Sequence, residues 1–151
     1  MSKSKGPRGP TLTVPKTLFT GTAASALRSV NSVRVLWTLL QRRQMVRVKR
    51  GKRQDEWHIA NNGEIVLTYA EAKRRLRLSP QAYRRAIDEL VELGFVDIER
   101  PGNGAAGIAT GYAISERWRD YGTEAFVQQR RQKDTRRLGY RGRRGRASGT
   151  L

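Results

Sequence analysis

The chain has 151 residues, 37% of them hydrophobic, and 31 Lys and Arg against 13 Asp and Glu, a net charge of +18. It has no Cys, which excludes disulfides and thiolate metal sites, and no apolar run nears the roughly 20 residues that span a bilayer. Such a charge attracts polyanions, nucleic acid first and an anionic membrane surface second, and the apolar content suits one core of about 80–110 residues with tails.

The charge is uneven. Residues 1–16 carry +4, residues 17–127 carry +6 and residues 128–151 carry +8. The first stretch, "MSKSKGPRGPTLTVPK", has no apolar h-region, so it is not a secretory signal; its prolines predict a disordered basic tail. The last stretch ends in "GYRGRRGRASGTL", a Gly/Arg-rich arm that cannot bury a core. A single domain over 17–127 is expected between the two disordered tails, in a cytoplasmic, nucleoid-associated protein.

Residues 22–43 place Leu27, Val30, Val33, Leu36, Trp37 and Leu40 at spacings of three and four, which predicts one helix with an apolar stripe. Thr22 or Ser25 would cap it, and Arg42 and Arg43 suit the negative end of its dipole. The alternation in 46–57 runs into a charged turn, and "WHIANNGEIVLTY" (57–69) predicts a hairpin turning at Asn62-Gly63. Thr68 with Glu71 predicts a capping box on a short helix that buries Ala72 and Leu76.

Ser79 then caps a second helix with Pro80 at its first position and Gly94 as its stop. On that helix Tyr83, Ala86, Ile87, Leu90 and Leu93 form the core stripe. Gln81, Arg84, Arg85 and Asp88 lie opposite. Its basic residues fall in the first two turns and its acidic ones, Asp88, Glu89 and Glu92, in the later half. This opposes the helix dipole, which prefers anions at the N-terminus. It suits a helix whose front half enters a DNA groove while its rear stays clear of the polyanion. Residues 95–100 predict a strand, 101–111 a Gly-rich loop, 112–115 a returning strand, and 116–132 a closing helix.

The order helix, tight turn, helix, strand, Gly-rich loop, strand begins in "LTYAEAKRRLRLSPQAYRRAIDELVELGFVDIER" and is completed by the Gly-rich loop and strand of 101–115. It resembles the winged helix-turn-helix domains of bacterial regulators and of plasmid or phage replication initiators. The resemblance covers residues 64–118. It implies a mainly α fold with a small antiparallel β wing, an α+β class. It also implies sequence-selective binding of double-stranded DNA by a transcriptional regulator or a replication or partition factor of a mobile element.

Carried over position by position, the reading face is Ser79, Gln81, Ala82, Arg84 and Arg85. Arg84 or Arg85 with Gln81 would read base edges, since Arg bridges guanine O6 and N7 and Gln bridges adenine N6 and N7. Thr68, Tyr69, Lys73 and Ser79 would hold phosphates. Arg100, at the base of a wing whose tip lacks cations, is the remaining candidate. The tails would add salt-sensitive, sequence-independent affinity for DNA or RNA.

Other features carry plainer readings. "GNGAAG" (102–107) matches a dinucleotide-loop pattern, but the β-prone residues after it supply no helix to hold a pyrophosphate. His58 is the only His, and no carboxylate cluster suggests catalysis or a metal, so no enzyme activity and no cofactor is expected. Asp55, Glu56, Asp97 and Glu99 suit surface pairing. Trp37, Trp57 and Trp118 suit packing, the last buried between an exposed Arg117 and Arg119. The competing reading is an RNA-binding or ribosome-associated protein on the same scaffold. A homodimer could form through 22–43 or 116–132, or through neither.

Overall fold

The computed structural model describes residues 12–50 and 54–131. The expectations for the rest of the two tails lie outside the described residues. The described chain is α+β: four α-helices, α1 (Thr22–Ser25), α2 (Val30–Gln41), α3 (Tyr69–Glu71) and α4 (Pro80–Glu92), with two two-stranded antiparallel sheets, β1 (Met45–Arg50) with β2 (Gln54–Ile59) and β3 (Val96–Arg100) with β4 (Gly111–Ile114). The core lies between α2 and α4. Val35, Leu36, Leu39 and Leu40 meet Tyr83, Ala86, Ile87 and Leu90, and Ile65, Leu67, Phe95, Val96, Tyr112 and Trp118 close the sides.

Helices α3 and α4 start where their caps dictate. The Thr68 hydroxyl accepts from the Glu71 N–H at 3.2 Å, and the Glu71 carboxylate accepts from the Thr68 N–H at 3.1 Å. Two orphan donors of the first turn are thereby satisfied. Helix α3 continues as a wider π-helical turn, Ala72–Leu76, which buries Ala72 and ends at Arg77 in the left-handed region, φ 54°. The Ser79 hydroxyl accepts from the Ala82 N–H at 3.1 Å, and Pro80 opens α4. Gly94 stops it at φ +85°, where a Cβ would stand 2.7 Å from the Trp118 nitrogen. Only glycine fits both the dihedral and the space.

Three expectations need correction. The helix expected over 22–43 is broken. Ser29 is extended and its side chain accepts from the Asn31 N–H, so α2 starts afresh at Val30. The break is held from α4, because the Glu89 carboxylate accepts from the Arg28 N–H at 2.6 Å and from the Ser32 hydroxyl. The buried stripe therefore runs through Ser32, Val35, Leu36, Leu39 and Leu40. It leaves Val30 75% and Trp37 41% exposed, with Trp37 against Phe19 at the surface.

The hairpin expected to turn at Asn62-Gly63 is displaced. β2 pairs backwards onto β1, Met45 opposite Ile59 and Arg47 opposite Trp57. Residues 62–65 instead join β4. The Asn62 carboxamide accepts from the Ile114 N–H and donates to its carbonyl. Ile65 and Tyr112 exchange backbone bonds at 2.7 and 3.2 Å. Ile65 and Leu67 are buried, and that burial settles the pairing: a strand with core-directed residues cannot fold back onto an exposed ribbon.

The closing helix over 116–132 is absent from its described part, 116–131. A 3-10 turn, Arg117–Asp120, is followed by irregular chain. Arg117 organises it, donating to the Asp97 carboxylate at 2.5 and 2.9 Å, to the Val91 carbonyl and to the Val127 carbonyl. Gly122, at φ +84°, takes a left-handed conformation that a continuous right-handed helix through this segment does not allow. Trp118 is buried and stacked near Phe95, with Arg119 over its ring at 4.5 Å. Arg117, expected at the surface, is only 14% exposed, and its partner Asp97 is only 22% exposed.

Part of the expected first tail, from residue 12, is among the described residues. Leu12 and Val14 pack on the core, and Arg43 donates to the Thr13 carbonyl at 2.7 Å.

Candidate nucleic-acid interface

The candidate surface is built on α4, and α4 is held on its inner face throughout. Tyr83, Ala86, Ile87, Leu90 and Val91 are buried. The Tyr83 hydroxyl donates to the Leu67 carbonyl at 2.7 Å and lies 3.3 Å from the Tyr112 hydroxyl, which ties the front of α4 to the β3–β4 hairpin. Burial raises both phenols above their ordinary range, Tyr83 strongly. Both stay neutral and act as rigid hydrogen-bonding struts.

The remaining face carries the expected residues. Gln81 and Arg85 are exposed, and Arg84 is half-buried beside them. Ser79 is exposed, with its oxygen engaged in the cap. Ala82 is half-buried and packs partly on the core, so it can offer only a methyl edge. Lys73 is exposed. Tyr69 is 44% exposed, its ring edge-on to Tyr83 at 5.2 Å.

Thr68 is half-buried, and its hydroxyl is committed to the capping box. Arg100 pairs with Glu64 at 2.9 Å. Its charge is thereby answered within the fold, which weakens it as a phosphate contact.

The acidic rear of α4 is largely occupied. Asp88 pairs with Arg131 at 2.9 Å, and Glu89 secures Arg28 and Ser32. Glu92 remains exposed. Sequence reasoning placed these carboxylates away from a polyanion but did not foresee their partners, which are 43 to 61 residues away in the chain.

Arg74, Arg75 and Arg77 escaped the sequence reasoning. All three are exposed, next to Lys73, on the turn between α3 and α4. The run "KRRLR" (73–77) was the available signal. The π-helical turn fans these cations outward, while Arg34 of α2 donates to the Leu76 carbonyl at 2.9 Å and pins the segment.

A second ion pair sets the start of α3. Arg42 donates to Glu71 at 3.0 and 3.1 Å and to the Val66 carbonyl. The Arg42 hydrogen bonds, with that from the Thr68 backbone, hold the Glu71 carboxyl down at about 2.

Elsewhere, exposed His58 sits 3.4 Å from Glu56. Among the described residues no three His, Cys, Asp or Glu gather as a metal site would require. No helix among them is long and apolar enough to cross a membrane. The "GNGAAG" segment forms a short turn, Gly104–Ala106, inside a loop closed by an Asn103–Ile108 bridge, and leads into β4. Comparison with protein-family models, curated proteins and solved structures found no match to the chain.

Proposed function

We propose that this protein binds double-stranded DNA sequence-selectively through a winged helix-turn-helix, with no catalytic step. In this reading α3 and α4 are the helix-turn-helix, β3 and β4 with their loop are the wing, and Ile65 joins the wing's edge through its bridge to Tyr112. The carrying observation is the division of α4. Its inner face is locked by Tyr83, Ile87 and Leu90, its outer front offers Gln81, Arg84 and Arg85, and two of its three rear carboxylates are tied to partners. A rigid helix with a cationic front is what groove insertion requires. The exposed cations Lys73, Arg74, Arg75 and Arg77 stand where the flanking backbone would pass, and would set register through phosphates. The role we propose is that of a transcriptional regulator or a replication or partition factor of a mobile element, acting at the nucleoid.

The test is selection of bound duplexes from a random pool, with structured RNA as competitor at about 150 mM salt to discount the generic charge term. A duplex motif should enrich. Arg84→Ala and Arg85→Ala should each cost about 1–3 kcal/mol on that motif and relax its sequence. Preferential retention of RNA with no enriched duplex would establish the competing reading instead.

A further inference from the structure

The ribbon β1–β2 takes no part in the proposed helix-turn-helix. We infer that it is a second duplex-DNA contact, in which Arg47 and Trp57 meet the sugar-phosphate backbone together. The inference rests on the proposed duplex-DNA partner, and it concerns a surface other than α4.

Residues 45–48, Trp57 and His58 of the ribbon are exposed, on both of its faces, while Ile59 at its base packs against the core. Met45, Arg47, Trp57 and Ile59 share one face, and Val46, Val48, Glu56 and His58 the other. Trp57 is 60% exposed, Val46 47%, Met45 42% and Val48 38%. An isolated two-stranded ribbon gains little from folding alone, and large apolar side chains on both its faces call for a partner.

The ribbon's attachment is nevertheless firm. The Asn61 carboxamide accepts from the Gln44 N–H at 2.8 Å and donates to the Arg42 carbonyl at 2.9 Å, closing the base. Arg42 in turn pairs with Glu71 at the start of α3. The ribbon is therefore mounted beside the helix pair that carries the other cations.

Charge and shape choose the occupant. Residues 45–59 contain five basic and two acidic residues, so two copies of the ribbon repel each other. Its apolar side chains are divided between two faces, whereas a lipid surface takes a single apolar face. B-form DNA has a major groove wide enough for a two-stranded ribbon, while the major groove of A-form RNA is deep and narrow. Arg47 lies directly opposite Trp57 on one face. That pairing sets a cation for phosphate beside an indole for the apolar face of the sugar.

The full-length protein, R47A/W57A, R84A/R85A and the combined variant are titrated against a labelled random-sequence duplex of about 30 base pairs, between about 50 and 200 mM salt. R47A/W57A should weaken binding about three- to tenfold and lower the log–log salt slope by about one. The same further loss should appear on the R84A/R85A background. Unchanged affinity and slope in R47A/W57A overturn the inference, whatever R84A/R85A does. A ribbon defect here, alongside an unchanged enriched motif when R84A/R85A is put through the duplex selection, would instead overturn the α4 reading and leave this one standing.

A second measurement needs no folding control. The iodide-quenchable emission that separates wild type from W57F should become protected on adding duplex, and persistent quenching overturns the inference. It is equally overturned if R47A/W57A loses binding to phosphatidylserine vesicles, loses binding to structured RNA alone, or changes from dimer to monomer in sedimentation, with duplex affinity intact.

Discussion

The front of helix α4 and the β1–β2 ribbon both present basic side chains, and they differ in what stands behind them. Five side chains of α4 are buried, and its front is strapped to Leu67 and Tyr112 through Tyr83. Of the ribbon's described side chains most are exposed; Glu56 is half-buried, Ile59 packs on the core, and the ribbon is held at its base. A positioned guanidinium can discriminate between base edges, because discrimination needs side chains held to within a fraction of an ångström. Charge on an unbacked ribbon supplies affinity that depends on salt and little on sequence. In the proposed reading, selection therefore falls to α4, whose inner face is buried, and not to the ribbon.

The comparison breaks most visibly in stability. Leu90→Ala, at a fully buried position between α2 and α4, should cost about 2–5 kcal/mol in denaturant unfolding. A smaller loss would mean that α4 is less firmly backed than its burial implies. Gly94→Ala comes next. Its positive φ and the Trp118 nitrogen behind it predict a loss of about 1–3 kcal/mol, read as a lowered Tm, with the α4–β3 junction shifted.

Glu71→Gln sharpens the link between the two regions, because Glu71 joins the ribbon's base to α3 through Arg42. It should cost about 1–2 kcal/mol at neutral pH. The folded state holds this carboxyl near 2, below its ordinary 4.5. Its stabilisation is therefore full above about pH 5 and is lost as pH falls from 4.5 towards 2. The Tm gap between wild type and variant should close over that window, and a gap that persists at pH 2 would rule out the ion pair as its source. Trp57→Ala is the smallest effect. An indole 60% exposed on an unbacked ribbon should change stability by no more than about 0.5 kcal/mol, and a large loss would show that the ribbon is packed after all.

Local chemistry was legible in advance wherever one or two turns of chain were enough to satisfy it. The capping box at Thr68 and Glu71, the Ser79 cap with Pro80, the Gly94 stop and the two strands after it are instances. So is the outward front of α4, since the apolar stripe of an amphipathic helix also fixes which residues lie opposite it. Trp37 shows the limit. Two overlapping stripes can be drawn through 27–40, and only the approach of α4 chooses between them. Asn62-Gly63 shows it again, because a dipeptide suited to a hairpin turn was used to carry the chain across to β4.

The sequence by itself determined the charge, the helix limits around the α3–α4 turn and the residues α4 turns away from the core, because these depend on backbone capping and a period of 3.6. Tertiary structure decided the break before α2, the ribbon's register, the irregular strap after Trp118 and the partners of Glu89, Asp88 and Arg117. Each depends on a buried or half-buried polar group meeting its partner across the fold. Desolvation makes such pairing obligatory, but nothing local names the partner.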